Sequence, residues 1–585
     1  MTGRRGFTGH AAAPGTALGL VHRTDRPLSR TALPHRAGGD PAQQITDAFD
    51  TVAARLLDLS GSLRERSKDE QADIMEVNGY IAQDQDLRDL AIKRANDGEP
   101  VPVAVRQAID AYAATIAALD DPTLAERAAD VRQVGRRVLS ALHGDTGPAP
   151  DQPLVLVAHE IGAADLLEPG RTVTAAISVT GGPNSHAAIV ARSLGIPFLL
   201  GVDPQLLELP DGQEILLDAG LGSAVAHPDD EERTRALRAM ETARARRLAL
   251  AAERHLPAET LDRHAVVLRA NVATAAEARA ALTAGAEGVG LLRTELPFLN
   301  HPAWPTREQH AATLVPVLRA LTGQVVTART LDFADDKLPP FLSRLRGARI
   351  GRGLPLMLAQ PDAFADQFRS LLSAGADTDL RIMIPMVADV GELRACRRLL
   401  EAAATEAGVP VPPLGIMVEL PEAVAAADDL AHEASFFSIG SNDLTCQILG
   451  LDRRDPTATP AMAAHPAVLG AIARVVDAAH RHGRQVSVCG DAAAHPLVTP
   501  LLIGLGCDSL SVGPAALDEV RARIRRLRHD TCASLAAVAL TRANPEEVWR
   551  LVETGAGVCR GEAPSPSAPP DVTVTARPPA TTGSP

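Results

Sequence analysis

The stretch LGIMVELPEAVAAADDLAHEASFFSIGSNDLT, residues 414–445, holds two apolar runs of strand length, LGIMV and FFSIG. Each is followed by side chains that bind ions: Glu419 after the first, Asn442 and Asp443 after the second. A parallel strand buried on both faces reads as a continuous apolar run rather than an alternating one. Such runs recur as AVVLRA (265–270), GVGLL (288–292), VVTA (325–328), IMIPM (382–386), VSVC (486–489) and SLSV (509–512). Helical stretches such as ATAAEARAALTAGA and VGELRACRRLLEAAATEAG separate most of them. Eight strands alternating with helices over about 250 residues predict a (β/α)8 barrel, a fold that carries its functional residues at the C-terminal strand ends.

The N-terminal half is organised differently. Residues 9–21 read as a short strand and turn, and from Pro41 to Leu142 apolar and charged residues alternate at helical spacing, as in QQITDAFDTVAARLLDLSGSLRERS. That block predicts several antiparallel helices. After the linker GDTGPAPDQP, the runs LVLVA (154–158), AAISV (175–179), FLLGV (198–202) and EILLDA (214–219) predict an α/β unit flanking the helices. Residues 229–256 read as a charged amphipathic helix long enough to join two domains. From about Gly561 the tail is rich in Pro, Ser, Thr and Ala, a composition that predicts disorder.

Composition narrows the function classes. A net charge of −14 argues against a nucleic-acid surface, which would show a basic stripe. No apolar run approaches the roughly eighteen residues of a membrane-spanning helix, so no membrane insertion is expected. The apolar stretch behind Arg4-Arg5 is interrupted by Pro14, Gly15 and Gly19, unlike an export signal. All six cysteines lie in the second half with no C-x-x-C spacing, which fits a reducing cytoplasm.

Two constellations carry chemistry. In TGGPNSHAAIVARSLGIP (180–197), glycines permit a tight turn and His186 opens a helix closed by Gly195. A helix N-terminus stabilises negative charge, and a neutral imidazole is nucleophilic near pH 7. His186 is therefore either a helix-start histidine or a phosphoryl carrier, and the motif alone leaves both open. The second constellation is on the barrel, where Arg293, Arg329, Glu419, Asn442, Asp443 and Cys489 follow or close strands. Glu419 and Asp443 offer oxygen ligands suited to Mg2+, and Arg293, Arg329 and Arg453 offer planar forks for phosphate and carboxylate. Cys489 is either a buried structural thiol or a proton donor at the mouth of that site.

Taken together, GGPNSHAAIVARSLGIP, ERAADVRQVGRRVL (126–139), GAEGVGLLRTE, RTLDFADDK, GIMVELPEA, FFSIGSNDLT, LDRRDP and VCGD resemble, in order and spacing, enzyme I of the bacterial phosphotransferase system. These are the phosphoenolpyruvate–protein phosphotransferases, and the resemblance runs from about Gly9 to about Asn544. It implies a multidomain α/β protein: a phosphohistidine α/β domain (1–30 and 145–228), an inserted helical subdomain that docks the carrier protein HPr (31–144), a linker helix (229–257), a (β/α)8 TIM barrel that binds phosphoenolpyruvate (258–545) and a tail (546–585). It further implies that Mg2+ sits at Glu419 and Asp443, and that Arg293, Arg329, Asn442, Asp443 and Arg453 grip the substrate, with Lys337 secondary. His186 would take the phosphoryl group, Cys489 would protonate the enolate to give pyruvate, and the chain would pair as a homodimer through the barrel.

The sequence departs from the family pattern at Asn184, at Phe333, Ala334 and Asp335, at Leu420, Cys446 and Asp491, at Asn78 where many relatives carry histidine, and around Arg352. The acidic Asp335 beside an anionic substrate is expected to weaken binding. These departures keep one other reading in view, a divergent paralogue acting mainly as a regulatory binder, and the shared phosphohistidine and barrel modules keep a second, a relative of pyruvate phosphate dikinase or phosphoenolpyruvate synthase. The latter calls for an ATP-binding domain, and nothing resembling one precedes His186.

Overall fold

The computed structural model describes residues 4–24, 40–65, 69–118, 122–143, 152–167, 172–182, 186–299, 301, 303–333, 339–343, 353–452 and 458–559. The chain divides into two compact units, residues 1–252 with 274–276, and residues 253–273 with 277–585.

The first unit is built on an eight-stranded mixed sheet. Its strands are β1 (Arg5–Thr8), β2 (His10–Ala13), β3 (Thr16–Arg23), β4 (Pro153–Ala158), β5 (Thr172–Ser178), β6 (Phe198–Leu200), β7 (Glu214–Asp218) and β8 (Ser223–Ala226). They lie in the order β1-β8-β7-β3-β4-β5-β6-β2, with β3 to β6 parallel and the flanking pairs antiparallel. The 9–21 segment, expected as one strand and turn, contributes β2 and most of β3, and β1 at one edge with β8 beside it are additional four-residue strands too short to stand out in the sequence.

Period-two geometry sends alternate residues of β4 into different cores. Leu156 and Ala158 join a cluster with Ile45, Phe49, Leu56, Met75 and Val134 of the helical block. Val155 and Val157 join Phe7, Val21, Ile177, Leu206 and Leu217 on the other face. Among the described residues the helical block is five helices, Pro41–Glu65, Asp69–Gln83, Gln85–Asn96, Val101–Ala117 and Pro122–His143. It therefore shares one core with the sheet instead of standing apart from it. Small residues set the helix spacing: a Cβ on Gly135 would lie 2.4 Å from the Ile109 side chain. The charged helix Asp230–Ala252 follows, its start tied to β7 through Arg233 and Glu214.

The second unit is a closed barrel of eight parallel strands, β9 (Val267–Val272), β10 (Val289–Leu292), β11 (Val325–Arg329), β12 (Asp379–Ile384), β13 (Leu414–Val418), β14 (Phe436–Gly440), β15 (Gln485–Cys489) and β16 (Ser509–Val512). Each matches one of the eight apolar runs. The expected IMIPM strand ends early, at Ile384, because Pro385 has no N–H for the ladder and Met386 turns into positive φ (54°). Strands β10, β13, β14 and β16 are buried throughout, as a parallel sheet covered by helices requires. Inside, Leu291, Met383, Met417, Phe436 and Cys489 form one cluster. Gly415 makes room for Phe436, whose ring would lie 2.5 Å from a Cβ there.

Close backbone approach also shapes the outer layer. A Cβ on Gly504 would lie 2.1 Å from the Cys532 carbonyl oxygen, whereas one on Gly470, inside helix Pro466–Arg481, meets nothing within 4 Å. Gly504→Ala is accordingly expected to destabilise the barrel by about 1–3 kcal/mol through forced separation of two backbones. Gly470→Ala is expected to stabilise it by up to about 1 kcal/mol through helix propensity. Urea-unfolding midpoints that move in opposite directions are the expected result.

Candidate active site

The barrel strands deliver their last residues to one mouth. Arg329 ends β11 and is only 8% exposed, yet it is charged: burial disfavours the cation, but Glu295, Asp332 and Glu419 outweigh this and raise its pKa. Its Nη2 donates to Glu295 Oε1 at 2.7 Å, and its Nη1 lies 2.8 Å from Asp332 Oδ2 and 3.7 Å from Met417 Sδ. The surrounding loops are tied to the same residue. Thr294 Oγ1 donates to the Arg329 carbonyl, Gln367 Nε2 donates to Thr294 Oγ1, and the Leu331 N–H donates to Gln367 Oε1.

Glu419 follows β13 and is 1% exposed. Its Oε2 accepts from the Met386 N–H at 3.0 Å, which gives the left-handed backbone at Met386 a function. Gly440, at the end of neighbouring β14, leaves space for it, since a Cβ there would lie 2.6 Å from Glu419 Cγ. Burial, with Asp332 and Asp443 adding like charge, pushes the Glu419 carboxyl well above its usual range, and Arg329 only partly opposes this. Asp443 lies in the first turn of helix Ser441–Leu449. Among the described residues this mouth sets four carboxyl groups, Glu295, Asp332, Glu419 and Asp443, against the guanidinium of Arg329, with Arg293 following β10 on the next strand. Two acidic groups that repel each other electrostatically, Glu419 and Asp443, are of the kind that hold a divalent cation.

Cys489 ends β15, 3% exposed. Its Sγ lies 3.6 Å from Ser438 Oγ and 3.5 Å from the Ile439 carbonyl oxygen, and burial pushes the thiol up to about 11. It is a protonated acid near neutral pH. Asn442 is held from two sides, its Nδ2 donating to Asp491 Oδ2 and its Oδ1 accepting from the Asp491 N–H. Arg293 has its N–H on the Val272 carbonyl, and its buried Nε has no hydrogen-bond partner among the described residues.

The structure thus brings Arg329, Glu419, Asp443 and Cys489 into mutual electrostatic reach. Arg453 and Lys337 lie outside the described residues, as do Asn184, Ala334, Asp335 and Arg352. In the other unit His186 is the first residue of helix His186–Leu194, which closes at Gly195 with φ of 66°. Asn78 is 1% exposed in helix Asp69–Gln83, so its side chain is not a surface contact. Phe333 is buried against Trp304 and Phe341, ring centroids 6.2 and 5.9 Å away. The bulky departure is therefore absorbed by an aromatic cluster beside the site. Sequence reasoning missed Glu295, Asp332 and Ser438; the acidic residues that follow the strand-end arginines 293 and 329 by two or three positions were the available signal.

Three family descriptions match the chain: PEP-utilising enzyme, N-terminal (residues 8–127), PEP-utilising enzyme, mobile domain (150–222), and PEP-utilising enzyme, PEP-binding domain (247–529). A phosphoenolpyruvate-protein phosphotransferase of Geobacillus stearothermophilus is 32% identical over 93% of this chain and 97% of its own length. A multiphosphoryl transfer protein of Xanthomonas campestris pv. campestris is 37% identical over 93% of this chain, and the chain spans 66% of that relative's length. A solved N-terminal domain of Enzyme 1 - Nitrogen is 28% identical, covering 40% of this chain and 98% of its own, with a TM-score of 0.30.

Removing Arg329 isolates the carboxylates around it. Arg329→Gln is expected to lower the unfolding free energy by about 3–5 kcal/mol at pH 8, the usual result of orphaning buried charges. A carboxyl whose folded pKa is raised withdraws stability as pH rises through that pKa and restores it below. The deficit relative to wild type should therefore be smaller at pH 5, which denaturant melts at the two pH values measure directly.

Proposed function

The chain belongs to the PEP-utilising enzymes and carries their N-terminal, mobile and PEP-binding domains, and on that premise we propose that it is a phosphoenolpyruvate–protein phosphotransferase. It moves a phosphoryl group from phosphoenolpyruvate to His186 and from there to the carrier protein HPr, releasing pyruvate. The observation that carries this reading is the convergence of Arg329, Glu419 and Cys489 at one barrel mouth: a buried cation, a carboxylate with surplus negative charge and a protonated thiol.

Each residue has a defined task. The orphaned Nε of Arg293 and the fork of Arg329 bind the anionic phosphate and carboxylate of the substrate, joined by Arg453, with Lys337 in a secondary role. Asn442, its amide fixed by Asp491, orients a substrate oxygen. Glu419 and Asp443 would hold Mg2+, which supplies charge neutralisation to a phosphoryl group in transfer. The bond between phosphorus and the enol oxygen breaks as a bond forms between phosphorus and a His186 ring nitrogen, and the enolate of pyruvate departs. Cys489 gives its Sγ proton to the enolate methylene carbon, for which a thiol near 11 is suitably reluctant to ionise beforehand. The helix N-terminus that begins at His186 favours the phosphorylated imidazole.

Further details follow from the same reading. HPr docks on the helical block, the chain pairs as a homodimer through its barrel, and it acts in the cytoplasm. The five described cysteines, all free, are consistent with a reducing compartment, and no helix among the described residues is long and apolar enough to cross a membrane.

With phosphoenolpyruvate labelled in its phosphate and Mg2+ present, the chain should acquire acid-labile, base-stable label, and His186→Ala should acquire none. Label that survives His186→Ala sinks the proposal. Glu419→Gln replaces a buried carboxyl whose ionisation burial and like charge oppose, so the metal-free variant should unfold at a temperature no lower than wild type while losing the rise that Mg2+ gives the wild-type chain. Differential scanning calorimetry with and without Mg2+ reads both effects.

A further inference from the structure

Asp428, His432 and His482 form a second ion-binding constellation away from the mouth. One ligand atom from each falls within 4.8 Å of the other two. Asp428 and His432 are four residues apart on helix Ala427–Glu433, so they share a face. His482 caps the C-terminus of helix Pro466–Arg481, packed alongside. The two imidazole centroids are 4.1 Å apart, and His482 Nε2 lies 3.2 Å from Asp428 Oδ1.

Position and chemistry both matter. Each helix ends just before a barrel strand begins, β14 at Phe436 and β15 at Gln485, so the cluster stands at the barrel face opposite the mouth. Helix C-termini carry partial negative charge, which favours a cation there. Asp428 and His432 are exposed and His482 half-buried, so an ion can reach them. The present countercharge is Arg481, whose Nη2 lies 2.7 Å from Asp428 Oδ1 and whose side chain is 65% exposed, free to swing into water. Arg481 and His482 both use Oδ1 of Asp428.

We propose that Asp428, His432 and His482 form a transition-metal site, selective for Zn2+ and its neighbours Ni2+ and Cu2+ over Mg2+, that clips the two helices together. Two imidazoles and one carboxylate are the donor set of those borderline metals, whereas Mg2+ favours oxygen. The remaining positions are taken by water. Binding exchanges the Asp428–His482 hydrogen bond for two metal bonds and displaces a proton from whichever imidazole carries one. The site stiffens the stability face of the barrel and leaves the chemistry at the mouth untouched.

The test uses the full chain stripped with a chelator, then held in saturating Mg2+ so that the mouth is occupied. Zn2+ is titrated by calorimetry and followed by thermal unfolding. The expected result is one saturable equivalent of Zn2+ that raises the melting temperature. His432→Asn and His482→Asn should each weaken it by at least about tenfold, in keeping with the effect of altering a metal's surroundings. The double variant should lose the thermal shift yet still incorporate label from phosphoenolpyruvate as wild type does. Absence of a Zn2+-dependent shift in wild type, or a shift retained by the double variant, overturns the proposal.

Discussion

The second unit depends on how a guanidinium is kept charged inside a barrel. Arg329 is almost out of water, a placement that costs several kcal/mol unless the charge is paired and hydrogen-bonded. Glu295 and Asp332 supply the pairing from two loops. The chain Thr294–Gln367–Leu331 then fixes those loops to each other. The carboxylates more than neutralise the arginine, and the excess falls on Glu419, whose carboxyl is pushed toward its protonated form. An anion alone would deepen that imbalance, whereas a cation would relieve it.

Much of this architecture was legible because barrels write their strands as uninterrupted apolar runs. Strands such as LGIMV and FFSIG are buried on every residue, and the polar or charged residues after each stand at the barrel mouth. Pairings were not legible. Glu295 and Arg329 are 34 residues apart and meet only because β10 and β11 are neighbours in a closed sheet. Acidic residues in loops after strands are ordinary, so the spacing of Glu295 and Asp332 two and three residues after strand-end arginines was too weak a signal to set them apart. Phe333 shows the converse. It replaces a small residue of the family pattern, but Trp304, 29 residues before it, and Phe341, eight residues after it, form the pocket that receives it. In the first unit β1 and β8 escaped notice since strands of four residues, RGFT and SAVA, are too short to establish a hydrophobic period.

The cores reflect a chain with only 2% aromatic residues. Where alanine, valine and leucine fill the interior, elements approach closely and glycine positions become packing decisions. Gly135 against Ile109, Gly415 against Phe436 and Gly440 against Glu419 each admit a neighbour that a methyl group would displace. The last of these links packing to chemistry, because the volume withheld at Gly440 is the volume in which the Glu419 carboxyl sits.

The burial of Cys489 also bears on its reactivity. With its thiol near 11, about one molecule in ten thousand carries the thiolate at pH 7, and the thiolate is the form that peroxides and electrophiles attack. A cysteine buried deeply enough to stay protonated is by the same placement a poor target for oxidation. Oxidative stress would therefore spare this barrel where it silences enzymes that rely on an ionised sulfur.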